Sequence, residues 1–177
     1  NHISAYTLTL EKGTDLFQLV KNKKVNMPDD GQTAEWFLKT HEIMESYGYN
    51  SYEISNFSKP KMECQHNLHY WRIHPYLAFG PSAHGFDGQN RWNNSRSLDH
   101  YLQQIESNKS PVSMKETLTQ NDLLNEMIGF GLRMKEGINL SKIPEKFKNQ
   151  FSGNLIVAEK KWEGCFIQTE KSISLTK

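Results

Sequence analysis

Cysteine is scarce in this sequence of 177 residues, and there is almost no excess of charge of one sign. The two cysteines, Cys64 and Cys165, do not make a disulfide framework, so a reducing, cytoplasmic setting is expected. The formal net charge of +1 argues against nucleic acid or an anionic membrane surface as a partner. No apolar run reaches the ~18 residues of a membrane-spanning helix, so an integral membrane protein is not expected.

The common sequence signatures of catalysis are also absent. The chain has no G-x-x-x-x-G-K-[ST] or G-x-G-x-x-G motif, and no G-x-S-x-G, H-E-x-x-H or C-x-x-C motif. We therefore assign no catalytic nucleophile. The sequence opens on a strand-like run without a methionine or signal peptide and ends inside a similar pattern, so we expect a piece of a longer protein.

The first sixty residues predict strands separated by a helix. Residues 2–10 are rich in β-forming side chains, residues 32–47 repeat apolar positions at helical spacing, and residues 52–57 alternate as a strand. Asp29 precedes the helix and Gly48 follows it, as expected for its two ends. This order predicts a βαβ unit with parallel strands and a right-handed crossover.

Helical patterns return in the second half of the chain. One helix is expected to begin after Ser97, and another at Thr119, where Asp122 can complete a capping box. Gly129 and Gly131 weaken the second helix, and we interpret them as permitting close packing.

The end of the chain predicts two more helical segments and a hairpin. A short helix is expected after Ser141 with Pro144 in its first turn, and a further one around residues 155–162. The hairpin would join residues 165–169 to residues 173–176, with Cys165 in the core. Helices followed by a hairpin resemble a winged-helix arrangement.

The densest group of candidate ligand side chains lies between residues 64 and 86. This segment has no clean period and holds four of the seven histidines. Long irregular segments within compact domains are usually functional. A zinc site is disfavoured, because the paired ligand spacing of structural zinc sites is missing. The candidate zinc ligands are Cys64, His66, His69, His74 and His84.

Haem is the second interpretation of this segment. Haem iron takes one or two axial ligands, commonly histidine, in apolar and aromatic surroundings. His66 meets this need, His69 is an alternative, and Asn67 could orient a ligand. A purely structural role stays open, because histidine and tryptophan often fill domain junctions. The glycine-rich run at residues 80–85 predicts a tight turn or a close backbone approach to a ligand.

Several short runs of residues carry a family resemblance. They are His2 to Leu8 with Glu11 and Gly13-Thr14, residues 52–57 with Lys59-Pro60, Glu63 to Asn67, Tyr76-Leu77, Phe79-Gly80 and Ser82 to Gly85. They resemble the radical S-adenosylmethionine proteins of the HemN and HemW type, strongly over residues 1 to about 92 and more loosely beyond. Lys61 departs from the pattern, since the family often has glycine there, and one altered turn is expected.

The most specific part of the resemblance is the motif His-Asn-x-x-Tyr-Trp, formed by His66, Asn67, Tyr70 and Trp71. In this family it marks the HemW branch, regarded as haem-binding chaperones. The other branch is the oxygen-independent coproporphyrinogen III oxidase, which decarboxylates porphyrinogen propionates by radical chemistry. The resemblance implies that haem is the cofactor, that His66 is the axial ligand of its iron, and that a haem-receiving protein is the partner.

The resemblance also implies a radical-SAM cofactor set that this chain does not hold alone. The family binds a [4Fe–4S] cluster on a C-x-x-x-C-x-x-C-type motif, which is missing here. The cluster and S-adenosylmethionine are therefore expected only in the full-length protein, with Thr9 and His84 on the S-adenosylmethionine side.

The expected fold class is α/β. Residues 1–92 would form closing strands and helices of a partial radical-SAM-type (β/α) barrel, residues 93–118 a connecting helix and linker, and residues 119–177 a mainly helical, winged-helix-like domain. The expected function is haem binding and delivery by a C-terminal fragment. The alternatives are a coproporphyrinogen oxidase completed by the missing half, and a protein-interaction module built on the winged-helix-like tail. A homodimer is left open.

Overall fold

The computed structural model describes residues 1–176, which form two compact units, Asn1–Glu63 and Cys64–Thr176. Residue 177, the last of the predicted C-terminal domain, lies outside the described residues. The α/β class is confirmed, with three small sheets of three antiparallel strands each.

The first unit contains two helices and one sheet. Its elements are β1 (His2–Ser4), α1 (Asp15–Lys21), α2 (Asp30–Ser46), β2 (Asn50–Glu53) and β3 (Asn56–Ser58). The predicted helix is confirmed as α2, which begins with a capping box between Asp29 and Gln32. Gly48 follows it in the left-handed region, at φ +74°.

The predicted parallel βαβ unit is wrong, because residues 50–58 form a hairpin instead of one strand. β3 lies between β1 and β2 and pairs antiparallel with both. The buried carboxylate of Glu53 fixes the turn by accepting hydrogen bonds from the Ser55 backbone at 2.7 Å and the Asn56 side chain at 2.6 Å. Hydrogen bonds of this kind offset the desolvation of buried polar groups.

The end of β1 and the backbone of Lys61 both differ from what the sequence predicts. β1 ends at Ser4, and the predicted strand residues Tyr6 and Leu8 are 68% and 65% exposed. Lys61 adopts φ +64°, a left-handed conformation that glycine reaches without steric cost. The position where the family often has glycine therefore keeps a glycine-like backbone in this chain.

The second unit contains two sheets and four α-helices within the described residues. Its elements are α3 (Gln65–Trp71), β4 (His84–Phe86), β5 (Asn90–Asn94), α4 (Leu98–Glu106), β6 (Val112–Thr117), α5 (Gln120–Arg133), β7 (Ile138–Asn139), 3₁₀ turns at Leu140–Lys142 and Glu145–Phe147, α6 (Lys148–Lys161), β8 (Phe166–Gln168) and β9 (Ser172–Leu175). The sheets have the strand orders β4-β5-β6 and β7-β9-β8.

Local signals in the sequence predicted where α4 and α5 begin. They did not predict α3, and the helix expected around residues 155–162 begins earlier, at Lys148. The Ser97 hydroxyl accepts a hydrogen bond from the His100 backbone at the start of α4. Thr119 and Asp122 form the expected capping box of α5, with the Thr119 backbone donating to the Asp122 carboxylate at 2.8 Å. Side chains within one turn make these caps, so no tertiary information was needed to find them.

The hairpin at the end of the chain is confirmed as β8 and β9, and β7 extends it to a sheet. The prediction that Cys165 is a core residue is wrong, since its side chain is exposed. Cys165 lies between Gly164, in a left-handed turn, and the start of β8. The apolar residues around it in the sequence face the core at other positions, such as Ile173, which is 1% exposed.

The core of the second unit joins α5, α6 and the last sheet. Its buried members are Leu124, Ile138, Ile143, Phe147, Phe151 and Ile173. The close helix packing expected at Gly129 and Gly131 is not found: a Cβ at Gly131 would stand 2.9 Å from the Ile138 Cα of strand β7, and a Cβ at Gly129 would meet nothing within 4 Å. Among residues 1–176, no helix is long and apolar enough to cross a lipid bilayer.

Candidate functional site

The segment predicted to be irregular contains a short helix and a hairpin. The whole His-Asn-x-x-Tyr-Trp motif lies on α3, which spans seven residues. The helix ends where Ile73 enters the left-handed region at φ +57° and the His74 backbone N–H donates to the His69 carbonyl at 3.1 Å. Glycine usually occupies this position, and a β-branched residue there is strained. The end of the motif helix is therefore held by surrounding structure.

His66 and Tyr70 lie one helical turn apart on the same face of α3. Their rings meet edge to face, with centroids 4.7 Å apart and planes at 89°. The His66 side chain is exposed, and among the described residues it takes part in no hydrogen bond. Its imidazole is therefore held in place by an aromatic contact, while its nitrogen lone pair stays available to a ligand.

An aromatic row runs from His66 through the second unit. Tyr70 contacts Tyr76 with centroids 4.4 Å apart, and Tyr76 contacts Phe86 at 6.1 Å. Tyr76 and Phe86 are not among the site residues predicted from the sequence. They join the site because an antiparallel bridge pairs Tyr76 with Phe86, which no local periodicity indicates. We call His66, Tyr70, Tyr76 and Phe86 the aromatic row.

His69, the alternative ligand, is engaged by the backbone. Its Nε2 lies 2.7 Å from the Pro75 carbonyl oxygen, and its ring centroid is 5.0 Å from that of His74. A carbonyl oxygen only accepts, so Nε2 carries the proton and donates. In the neutral ring this leaves only Nδ1 for a metal. The pKa of His74 is lowered, first by partial burial and then by the nearby charges of His69, Lys142 and Arg72.

Trp71 faces a different neighbour from His66. Its ring packs against Phe130 of α5 at 5.5 Å, and the Arg133 guanidinium stacks over it at 4.4 Å. Asn67, one turn earlier on that side of the helix, is partly buried. The Trp71 indole nitrogen is buried and has no hydrogen-bond partner among the described residues. The motif thus divides into one face with His66 and Tyr70 in contact, and another face with Trp71 packed on α5.

The loop after Tyr76 presents apolar side chains from a fixed backbone. The buried Asn94 side chain donates to the Ala78 and Gly80 carbonyls at 3.3 and 2.9 Å. Leu77 and Phe79 are nevertheless 70% and 81% exposed. The loop backbone is therefore held by hydrogen bonds while these two side chains are exposed. They form an apolar surface next in the sequence to Tyr76 of the aromatic row.

One glycine of the glycine-rich run, Gly85, lies close to the Trp92 side chain and not next to space for a ligand. A Cβ at the buried Gly85 would lie 2.3 Å from the Trp92 ring, because the two residues are paired across β4 and β5. Gly80 is in the left-handed region at φ +92°, as the turn interpretation of this run expects.

The remaining predicted site residues lie on the surface of their units. Thr9 is exposed in the segment after β1 of the first unit, and His84 is exposed at the start of β4 of the second. In the part of the chain that the structure describes, no three His, Cys, Asp or Glu side chains are grouped as a metal site. A haem site differs from such a group, because one axial histidine can be its only protein ligand.

The fold and the motif helix define the class of protein. The structure is similar to coproporphyrinogen III oxidase (HemN) from Escherichia coli, described as a radical SAM enzyme, with a TM-score of 0.64 over 89% of this chain and 41% of that chain. The sequence identity is 20%, so this similarity concerns the fold alone. No protein-family model matches the chain.

Sequence comparison gives more specific relatives. The chain is 30% identical over 177 residues to the heme chaperone HemW of Bacillus subtilis, covering 99% of this chain and 47% of the relative. It is 37% identical over 146 residues to the mitochondrial radical S-adenosyl methionine domain-containing protein 1 of Danio rerio, covering 78% of this chain and 33% of the relative. The chain is thus a homologue of HemW and radical SAM domain proteins, and the resemblance found in its sequence is confirmed. It spans less than half the length of these relatives.

Proposed function

We propose that this chain supplies the haem-binding segment of a HemW-type haem-delivery protein, with His66 as the axial ligand of the iron. The observation that carries the proposal is the state of the His66 side chain. It is exposed, makes no hydrogen bond with a described residue, and is in edge-to-face contact with the Tyr70 ring. A neutral imidazole with an available lone pair is a common axial ligand of haem.

The family resemblance names His66, and the hydrogen bond of His69 supports the same choice on chemical grounds, where residue chemistry alone left both histidines open. His69 binds the Pro75 carbonyl through Nε2, at 2.7 Å. Ligation through that nitrogen would break the hydrogen bond and leave the carbonyl without its donor. Ligation at His66 breaks no hydrogen bond among the described residues.

Asn67, Tyr70 and Trp71 serve the site through orientation in this proposal. Tyr70 supports the ligand ring, and its contact with Tyr76 extends an apolar, aromatic surface that suits a porphyrin face. Trp71 fixes α3 against α5 through Phe130 and Arg133. Asn67, one turn before Trp71 on the same side of α3, would help to hold the helix in this orientation.

The exposure of His66 supports transfer more than storage. Because His66 is exposed, this chain would hold haem at a surface that a recipient protein could reach. An enclosed pocket, as in proteins that retain haem, would require the site to open before release. When bound, haem would supply iron that accepts the imidazole lone pair, and the residues of this chain would hold and orient it.

The radical-SAM cofactors belong to a longer protein in this proposal. The chain has two cysteines, which are too few to hold a [4Fe–4S] cluster of the family's type. Thr9 and His84 remain proposed contacts of S-adenosylmethionine in that longer protein. The alternative function, oxidation of coproporphyrinogen, draws support from the fold similarity to HemN and would likewise need the longer protein.

We also propose the finer architecture as an inference. The sheet β7-β9-β8 packs with α5 and α6 around one core, which supports a winged-helix-like domain at residues 119–177. The barrel assignment of residues 1–92 and the linker at residues 93–118 rest on the family resemblance. Such a tail would suit a haem-receiving partner or a second copy of the chain.

Haemin titration followed by absorbance tests the ligand assignment. The chain is expected to shift the Soret band of haemin, and His66→Ala should weaken binding at least about tenfold, the loss of one good coordinate interaction. His69→Ala should bind within a factor of about two of the parent. His100→Ala is the matched control, because His100 is also an exposed histidine on a helix of this unit.

Two outcomes would contradict the proposal. Equal loss of binding in the His66 and His100 variants would indicate nonspecific adsorption of haemin. Loss confined to His69→Ala would move the ligand to the neighbouring histidine. For the longer protein, anaerobic decarboxylation of coproporphyrinogen would favour the oxidase, whereas transfer of haem to an acceptor without decarboxylation would favour delivery.

A further inference from the structure

The second unit contains a cavity on the opposite side of the motif helix from His66. Its volume is about 670 Å³, within the range of small-molecule sites. Trp71 lines it from α3, and Gly131 and Met134 line it from α5. His66, Asn67 and Tyr70 are not among its lining residues. The cavity is therefore separate from the proposed haem ligand, and its assignment does not rest on that proposal.

The walls of the cavity are mostly apolar and are part of the folded core. The apolar lining includes Phe86, Leu123, Leu124, Met127, Met134 and Ile138. Leu124, Met134 and Ile138 are buried, at 7%, 6% and 3% exposure. The contact of Gly131 with the Ile138 backbone fixes α5 against β7. The cavity is therefore preformed, and binding would order little additional chain.

The charged lining of the cavity has a positive excess. Arg72 and Glu136 neutralise each other through two hydrogen bonds, at 3.0 and 3.1 Å. Lys142 and Lys171 are the other charged lining residues, and neither forms an ion pair with a described residue. The pKa of the neighbouring His74 is lowered first by its partial burial and then by the charges of His69, Lys142 and Arg72. An anion entering this cavity would meet two ammonium groups without a partner.

We infer that this cavity binds a small amphipathic carboxylate, with its apolar body among the leucine and methionine side chains and its carboxylate at Lys142 and Lys171. Both parts of such a ligand, its apolar body and its carboxylate, match the lining of the cavity. Apolar surface removed from water supplies affinity in proportion to its area. The two lysines supply charge-assisted hydrogen bonds that a neutral molecule of the same shape could not accept as strongly.

Decanoate, below its micelle concentration, is a suitable probe, with decanol as its neutral counterpart. We would follow ¹³C-methyl-labelled methionines of the chain by NMR, assigned by single Met→Leu variants. Met127 and Met134 line the cavity, whereas Met62 and Met114 are about half exposed elsewhere. Saturable shifts are expected at Met127 and Met134 alone, and decanol should bind about tenfold more weakly.

A pair of matched double variants tests the role of the lysines. Lys142→Glu with Lys171→Glu should weaken decanoate about tenfold or more. Lys109→Glu with Lys160→Glu makes the same change in net charge at exposed residues outside the cavity and should change binding less than twofold.

The inference is overturned if the two double variants weaken binding equally, or if decanol binds as tightly as decanoate. It is also overturned if the exposed methionines shift together with Met127 and Met134, since that would indicate adsorption to the surface. Should the Lys142 and Lys171 variant fail to fold, the comparison of decanoate with decanol on the parent chain still decides the matter.

Discussion

Gly131 of α5 lies against the backbone of Ile138 so closely that a Cβ at position 131 would stand 2.9 Å from the Ile138 Cα. This contact seats β7 on the helix and joins the motif-bearing side of the second unit to its core. Backbone cannot move aside as the end of a flexible side chain can. The pair therefore offers a direct measure of how tightly this core is packed.

Gly131→Ala is expected to destabilise the second unit by about 1–3 kcal/mol, the usual cost of overpacking. Gly129→Ala is the matched control on the same helix, because a Cβ there meets nothing within 4 Å. It should stabilise the helix by about 0.5–1 kcal/mol, since alanine favours helix more than glycine does. Urea unfolding of the three proteins measures both effects. Equal effects at positions 129 and 131 would contradict the close contact.

Gly85→Ala is expected to displace the Trp92 ring, which would lie 2.3 Å from the new methyl group. Because the ring must rotate away or the strands must separate, we expect the free energy of unfolding to fall by about 1–3 kcal/mol. In a Trp92→Val background the same substitution should cost much less, giving a coupling energy in a double-mutant cycle. Additive costs would show that Trp92 is not what requires glycine at this position.

The ion pair between Arg91 of β5 and Glu126 of α5 is expected to matter more than the pair between Arg72 and Glu136. Both are bidentate, but the first has side chains 25% and 18% exposed, and the second 36% and 52%. Glu126→Gln should lower the free energy of unfolding by about 1–2 kcal/mol. Glu136→Gln should lower it by under about 0.5 kcal/mol, because solvent screens exposed ion pairs. Urea unfolding at low and high salt measures both, and equal costs would contradict the difference in burial.

We expect the Asp87 carboxylate, in the turn between β4 and β5, to make the stability of the protein depend on pH. Hydrogen bonds from the Asn90 backbone and side chain, and then from the Gln89 backbone, lower the pKa of Asp87 from 3.8 to about 2. A lowered folded-state pKa contributes stability that is present above pH 3.8 and is lost as the pH falls towards 2. NMR titration of the carboxyl carbon should report this midpoint, whereas a midpoint near 3.8 would contradict the turn geometry.

Asp87→Asn is the variant that isolates this group. Its amide oxygen can still accept from the Gln89 and Asn90 backbone, although its NH2 group cannot accept from the Asn90 side chain, and it has no charge to lose. The part of the unfolding transition that depends on pH between about 4 and 2 should therefore shrink in this variant. An unchanged pH profile would assign the dependence to another carboxylate.

Local chemistry in the sequence determined where α2, α4 and α5 begin, and it determined the last hairpin. The capping boxes at Asp29 and Thr119 are made within one helical turn, so residue type and spacing are sufficient to find them. The motif helix gave no such signal. Cys64 makes no capping hydrogen bond, and Ile73 ends the helix where glycine is usual.

The sequence by itself determined the identity of the motif and the relationship to HemW, because both depend on which residues follow one another. Only the tertiary structure decided how the motif divides, with His66 facing outward and Trp71 packed on α5. It also decided that the His69 ring meets the Pro75 carbonyl, since that carbonyl reaches His69 only after the chain turns back. Contacts between residues distant in sequence cost chain entropy and are selected by the whole fold, so no local pattern encodes them.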